Sequence, residues 1–382
     1  MRRQVKDRIA FLFLGETLLI PHLYPIVEAL SEASDVPLDL WVSTSAHEAM
    51  LSAWLPSLAR ANARIRRAPG FRGVPEGSVT LDLPAKLPML ARLVPHLLRT
   101  RVAVCAEQTS LWLPTLLPLP CRFVKTSHGV GSMSARDDRR RRSPWLTLVP
   151  SERERQTYLD RGFAPDRIVA TGYVKSAFRQ RSQRQIPFAE QRPILLYTPH
   201  WQAHRSSWPR WGAEIVRMLA DQRRWNVILA PHQRLVENAP EVRAVLGAVA
   251  GLPHVHVDLD SFAMIDGSYT AAADIYLGDT SSQVIEFLAR PRPCVFLDAQ
   301  GADWRDNPSY AQWTCGEVVE DLDGLLPVLA RAEERHPHYR DVQQAFARSS
   351  LGDTGTVAPA RAAAAILGAL RGVLPASAGG TP

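Results

Sequence analysis

Cysteine is scarce: Cys105, Cys121, Cys294 and Cys315 are the only four, and no two stand close in sequence. Without a close-spaced pair there is no disulfide framework and no zinc knuckle, so buried free thiols in a reducing compartment are expected. Lysine is scarcer still. Only Lys6, Lys86, Lys125 and Lys175 stand among 45 basic residues, the rest being arginine. Long apolar runs are missing, and none approaches the roughly 18–20 residues that a membrane span needs. The N-terminus, MRRQVKDRIAFLFLGE, opens like a secretory signal, but Glu16 follows the short apolar run and no small-residue cleavage site appears. It reads as a buried first strand of a cytoplasmic protein. A P-loop lysine motif and a GxSxG elbow are absent. So are helix-turn-helix, single-strand and finger patterns, and nucleic acid is not an expected partner.

What is present is ordinary globular chain in quantity. At 382 residues, 46% hydrophobic and 22% charged, the sequence has material for two cores and is too apolar for wholesale disorder. A net charge of +7 suits an anionic partner: a phosphorylated substrate or an anionic membrane face.

Strand and helix patterns alternate along the chain. RIAFLFL (8–14), LDLWVST (38–44), VAVCAE (102–107), RFVKTS (122–127), LTLVPS (146–151) and IVATGY (168–173) read as strands, with helical spacing between several of them. Continuous apolar runs of this length fit strands covered on both faces of a parallel sheet. The pattern restarts at RPILLYTP (192–199) and continues through WNVILAPH (225–232), HVHVDL (254–259), ADIYLGD (273–279) and PCVFLDA (293–299). The expected organisation is an acceptor-side Rossmann-like domain at 1–180, a linker at 181–192 and a nucleotide-donor domain at 193–355. A terminal helix at 356–373 and a loose tail at 374–382 complete it. The fold class is therefore α/β, with two doubly wound domains facing each other and ligands outside the carboxyl ends of the strands.

Four segments carry candidate chemistry. In ADIYLGDTSSQVIEF a buried strand ends at Asp279, and Thr280, Ser281 and Ser282 open a helix. Backbone N–H groups and hydroxyls at a helix start make a phosphate seat, and Glu286 shares a helix face with Ser282. In VKTSHGVGS, His128 ends a strand and is followed by Gly129 and Gly131. A histidine there suits a general base for an acceptor hydroxyl. In NVILAPHQR, His232 ends a strand beside Arg234, and both suit phosphate oxygens. In LLYTPHWQ, Tyr197, His200 and Trp201 follow a strand, where the aromatics suit either stacking on a base or core packing.

The run Arg139, Arg140, Arg141, Arg142, followed by Trp145, reads either as a solvated loop or as a contact for anionic lipid or a phosphorylated acceptor. Asp258 and Asp260 form an acidic pair of the kind that holds a metal. The pairs His200/His204, His254/His256 and His336/His338 each lack a third ligand, so no metal is expected.

Taken in order, six segments resemble the CDP-glycerol glycerophosphotransferase family, the teichoic-acid primases and polymerases of GT-B fold. They are KTSHG, VPSERERQTYLDRGFAPDRIVATGYVKSAF, LLYTPHWQ, VILAPHQ, YLGDTSSQVIEFLARPRPCVFLD and LGDTGTVAPARAAAAIL. The sequence departs from that pattern at His200, Gln202, Gln233 and Thr280. The resemblance implies a metal-free transfer of a polyol phosphate from a CDP-linked donor to an anionic or lipid-linked acceptor. His128 would be the base and His232 its catalytic partner at the phosphate. Thr280, Ser281, Ser282 and Arg234 would hold the donor diphosphate, and Tyr197, Trp201, Asp279 and Glu286 the nucleotide. The enzyme would sit in the cytoplasm, peripheral on the inner membrane face. A nucleotide-sugar GT-B glycosyltransferase, a UDP-N-acetylglucosamine 2-epimerase-like enzyme and a non-catalytic nucleotide-binding module are the alternatives.

Overall fold

A computed structural model describes residues 6–75, 83–127, 129–130, 138–182 and 186–374. The chain divides into two units, Met1–Gln180 with Ser349–Pro382, and Arg181–Arg348.

The first unit holds seven parallel strands: β1 Lys6–Phe13, β2 Leu38–Thr44, β3 Ala63–Arg72, β4 Thr100–Cys105, β5 Arg122–Thr126, β6 Leu146–Val149 and β7 Ile168–Ala170. Their order across the sheet is β3-β2-β1-β4-β5-β6-β7. The second unit holds six: β8 Ile194–Thr198, β9 Asn226–Leu229, β10 Val255–Val257, β11 Ile275–Gly278, β12 Cys294–Leu297 and β13 Glu317–Val319. Their order is β10-β9-β8-β11-β12-β13, again all parallel. Both sheets thus start in the middle, build outward to one side, then return to build the other. The direction reverses between β1 and β4 and between β8 and β11. At such a switch point the two connections leave in opposite directions, and the gap at the carboxyl ends admits a ligand.

The apolar runs behave as their composition requires. Every residue of β2, β6, β9, β11 and β12 is buried, with helices packed over the sheets. The second unit's core gathers Leu195, Ile215, Val227, Leu277 and Val295 with the aromatic Trp208 and Trp225. The four cysteines are all free and buried, as their isolation in sequence implies.

The edge strand β3, ARIRRAPGFR, is not among the strands expected from the sequence. Arginine-rich and broken by Pro69, it has no apolar alternation to mark it. Its strand state is fixed by β2: the buried Asp39 carboxylate pairs with Arg64 at 2.6 Å, Arg66 at 3.0 Å and, from β1, Arg8 at 2.7 Å. Proline and charge on an edge strand are also what prevent edge-to-edge association.

The end of the chain returns to the first unit, so residues 349–355 and the helix Val357–Arg371 are part of that unit. Arg122 at the start of β5 donates to the carbonyls of Ala369 at 2.8 Å and Leu370 at 3.3 Å near the helix end. The Tyr173 N–H bonds to Asp353 O at 2.9 Å. Gly172, at φ +94°, makes the approach possible, because a Cβ there would lie 2.3 Å from Asp353 O. Gly172→Ala is expected to destabilise the first unit by more than about 1 kcal/mol, through strain plus backbone clash. Thermal denaturation reads this as a lowered midpoint, and an unchanged midpoint would mean that the seam does not hold the terminal helix.

Candidate functional site

The switch point of the second unit is organised by Asp279, the residue after β11. Its side chain is buried completely. One oxygen accepts the His200 N–H at 2.7 Å and the other the Ser207 N–H at 3.0 Å. One carboxylate thus ties both ends of the loop after β8 to the end of β11. Burial pushes its pKa up to about 7, against the opposing pull of these N–H donors.

That loop carries His200 and Trp201, and the loop after β9 carries His232. The two imidazole rings lie 6.0 Å apart, and the Trp201 ring lies 6.0 Å from His200 and 6.2 Å from His232. The Arg234 guanidinium covers Trp201 at 5.1 Å from the ring centre. His200 Nδ1 accepts the Gln202 N–H at 3.2 Å, and His232 Nδ1 accepts the Arg234 N–H at 3.1 Å. In both neutral rings the proton therefore sits on Nε2, which makes each a hydrogen-bond donor. Burial lowers the pKa of His200 to about 3, helped by His232, Arg205 and His204, and lowers that of His232 to about 4, helped by Arg234.

Thr280, Ser281 and Ser282 stand at the adjacent strand end in different states. Thr280 is buried; its hydroxyl donates to Ser309 O at 2.7 Å and accepts from the Gln312 side chain. It braces the segment Pro308–Cys315 and is not available to a phosphate. Ser281 caps the short helix Ser282–Phe287, its Oγ accepting the Gln283 N–H at 3.2 Å. Ser282 is exposed, and Glu286 is half-buried one turn later. Two expectations for the nucleotide are corrected. Tyr197 is 1% exposed, with its hydroxyl on Ser207 Oγ at 3.1 Å, so it packs the core and stacks on no base. Asp279 is a positioning residue, since both its oxygens are occupied by backbone N–H groups.

The acidic pair is also reassigned. Asp258 accepts from Asp260 N at 3.2 Å, from Ser261 N at 2.9 Å, and from the Ser261 and Tyr269 hydroxyls. With its oxygens so occupied it organises a turn. Among the described residues no group of three or more His, Cys, Asp or Glu side chains is placed to hold a metal.

In the first unit, His128 and Gly131 lie outside the described residues. Just before them Ser127 donates to the Glu154 carboxylate at 3.2 Å, and Lys125 is buried at the end of β5 with its pKa lowered by burial. The unit's own switch point carries a polar cluster that the sequence patterns do not single out. Glu107, just past β4, binds the Lys86 ammonium and accepts from Ser110 Oγ at 2.8 Å. A Cβ on Gly15, just past β1, would lie 2.7 Å from Glu107 Oε2. His47 is buried with Nδ1 2.7 Å from Thr44 Oγ1, and burial lowers its pKa to about 4. A signal existed in the strand-end sequence CAEQTS, but without a known neighbour it resembled any loop start.

The four arginines form one short helix, Arg139–Arg142, capped by Asp138. They do not make one solvated patch. Arg140 is paired with Asp138 and lies 4.8 Å over the Trp112 ring. Arg142 donates to Gly162 O and Arg161 O, both at 2.9 Å, and lies 4.5 Å over Phe163.

The histidine and aspartate shifts act in opposite directions on stability. His200 and His232 are neutral in the fold below the pH at which a free imidazole charges, so their contribution is lost as pH falls from about 6.5 toward 3–4. Asp279 holds its proton in the fold up to about pH 7, so its contribution is lost as pH rises from about 4 to 7. Burial lowers the pKa of His254 and His256 in the same unit as well, so four imidazoles oppose one carboxyl, and the second unit should become more stable as pH rises between about 4 and 6.5. Replacing His200 and His232 by glutamine should make that slope markedly shallower in denaturant titrations; an unchanged slope would mean the two rings are not held neutral.

No protein-family model matches the chain, and no curated protein matches it. Solved structures do. A UDP-N-acetylglucosamine 2-epimerase is 13% identical, covering 99% of this chain and 100% of its own, with a TM-score of 0.61. The wall teichoic acid polymerase TagF, soaked with CDPG, is 14% identical over 96% of this chain and 90% of its own, with a TM-score of 0.64. The UDP-GlcNAc 2-epimerase from Neisseria meningitidis bound to UDP-GlcNAc is 11% identical over 96% and 100%, with a TM-score of 0.58. The fold is GT-B-like. Two Rossmann-type units of parallel strands with alternating helices are common to all three, and at these identities the likeness speaks for architecture alone.

Proposed function

We propose that the chain is a GT-B-class transferase that moves a polyol phosphate from a CDP-linked donor to an acceptor hydroxyl. The observation that carries this reading is the set at the second unit's switch point. Two neutral imidazoles, each protonated at Nε2, stand 6.0 Å apart at the ends of adjacent strands beside Arg234 and Trp201. Two N–H donors and a guanidinium suit the oxygens of a diphosphate, and an indole suits the face of a base. The exposed Ser282 hydroxyl, at the start of the helix after β11, is a further candidate donor. In the reaction the acceptor oxygen bonds to the phosphorus bearing the polyol, the bond from that phosphorus to the bridging oxygen breaks, and CMP departs. The acceptor's proton passes to His128, whose position after β5 puts it at a strand's carboxyl end. His232 and His200 stabilise the charge gathering on the phosphates.

Support for the donor class comes from the six-segment resemblance and from a TagF structure among those of like fold. The second reading, a UDP-sugar glycosyltransferase or epimerase-like enzyme, is favoured by Glu107, a buried carboxylate at the corresponding strand end of the first unit. Ligand protection separates the two. CDP should raise the thermal midpoint well above any shift from UDP at equal concentration, since a ligand binding only the folded state stabilises by mass action. A larger shift with UDP or UDP-N-acetylglucosamine would transfer the assignment to the second reading.

A further inference from the structure

The first unit contains a cavity of about 600 Å³ on the edge of its sheet opposite the strand ends that carry chemistry. Arg122 opens β5, Trp145 precedes β6 and Arg167 precedes β7, and all three line it. Because the strands are parallel, these amino ends share one edge, and His128 follows the other end of β5. The cavity is therefore separate from the proposed reaction site, and its ligand is assigned independently of the proposed function.

Its lining is chemically one-sided. Four arginines contribute, Arg122, Arg141, Arg142 and Arg167, and no aspartate or glutamate does. Arg122 and Arg167 lie over the Trp145 ring at 5.5 and 5.4 Å, and Arg142 lies 4.5 Å over Phe163. Backbone carbonyls fix them in place. Arg122 donates to Ala369 O at 2.8 Å, Arg142 to Gly162 O at 2.9 Å and Arg167 to Trp145 O at 3.0 Å. Asp166, at 3.9 Å from Arg167 Nε, is a partly exposed neighbour outside the lining. Guanidinium groups already immobilised by stacking and carbonyl bonds lose little freedom when they take a phosphate, which they can grip through paired N–H groups.

The remaining wall is apolar. Leu117 lines the cavity and is 41% exposed, and Leu116 beside it is 68% exposed. Pro114, Pro118 and Pro120 complete that wall. A free phosphate would use the arginines alone. An exposed apolar wall next to the charge suits a ligand with a chain attached to its phosphate.

We propose that this cavity binds the phosphate headgroup of an anionic phospholipid, with Leu116 and Leu117 meeting its chains, and that it docks the first unit on a membrane surface. The charge run in the sequence is then split in function. Arg141 and Arg142 line the cavity, whereas Arg139 and Arg140 do not.

The split supplies the test. Co-sedimentation of the full chain should require phosphatidylglycerol in phosphatidylcholine vesicles and weaken with salt. Arg142→Gln with Arg167→Gln should lower vesicle affinity by roughly 25-fold, at about a fivefold loss per basic residue near an anionic surface. Arg139→Gln with Arg140→Gln, which removes as much charge but from outside the cavity lining, should change it little. Equal losses in the two double variants, or binding to phosphatidylcholine alone, would overturn the cavity assignment. The Gln variants also lose bonds to Gly162, Arg161 and Trp145 carbonyls, so a measurement on the unaltered chain stands beside them. Soluble dihexanoyl phosphatidylglycerol should raise its thermal midpoint more than inorganic phosphate at the same concentration. Equal shifts would identify a free-phosphate site and overturn the lipid assignment, and no shift from either would remove the site.

Discussion

His128→Ala should lower turnover by about 10²–10⁴-fold while leaving donor affinity nearly intact, the range typical of a lost general base. A hydroxyl is a weak nucleophile at neutral pH, and its proton must leave as the new bond to phosphorus forms. His128 follows β5 in the first unit, whereas the donor set His200, Trp201, His232 and Arg234 belongs to the second. The variant should therefore separate chemistry from binding. The acid limb of the pH–rate profile should vanish with it, because that limb reports protonation of the base. Wild-type turnover in the variant would exclude His128 as the base and direct attention to Glu107.

His232→Ala should behave in the other way, weakening donor binding by roughly 10–100-fold, as expected when one donor to a charged group is removed. Its Nδ1 also caps the helix Gln233–Asn238 through the Arg234 N–H, so the same change should destabilise the second unit by about 1 kcal/mol. His232→Asn separates the two effects. An asparagine oxygen can accept the Arg234 N–H and restore the cap, while the ring Nε2–H stays absent. Stability should return and affinity should not. Affinity recovering together with stability would mean that His232 acts only as a cap.

Much of the fold is legible in the sequence because buried parallel strands must be apolar throughout. IAFLFL, VAVC, ILLY and IYLG can be little else, and the alternation with helical segments implies doubly wound sheets. Strand β3 escapes that logic. It lies at an edge, is rich in arginine and is held by ion pairs to Asp39 that no periodicity reveals. The return of the terminal helix to the first unit escapes it too, since it rests on backbone contacts at Gly172 and Asp353 distant in sequence. At the site, strand-end position brings His232, Trp201 and Asp279 to one end of the second sheet but does not say what each side chain meets. Whether Asp279 meets a ligand or two backbone N–H groups, or Tyr197 a base or the core, depends on how the loop after β8 closes. Tyr197 sits inside β8, where a residue faces the interior of the unit whatever its chemistry, and Trp201 lies beyond the strand, in the loop that also carries His200.

The most direct measurement incubates the purified chain with CDP-glycerol and a hydroxyl-bearing acceptor in the presence of EDTA, followed by ³¹P NMR. The diphosphate signals should give way in equal amounts to CMP and a new phosphodiester, and His128→Ala should nearly abolish both. No phosphodiester from CDP-glycerol, together with turnover of a UDP-sugar under the same conditions, would contradict transfer of a polyol phosphate.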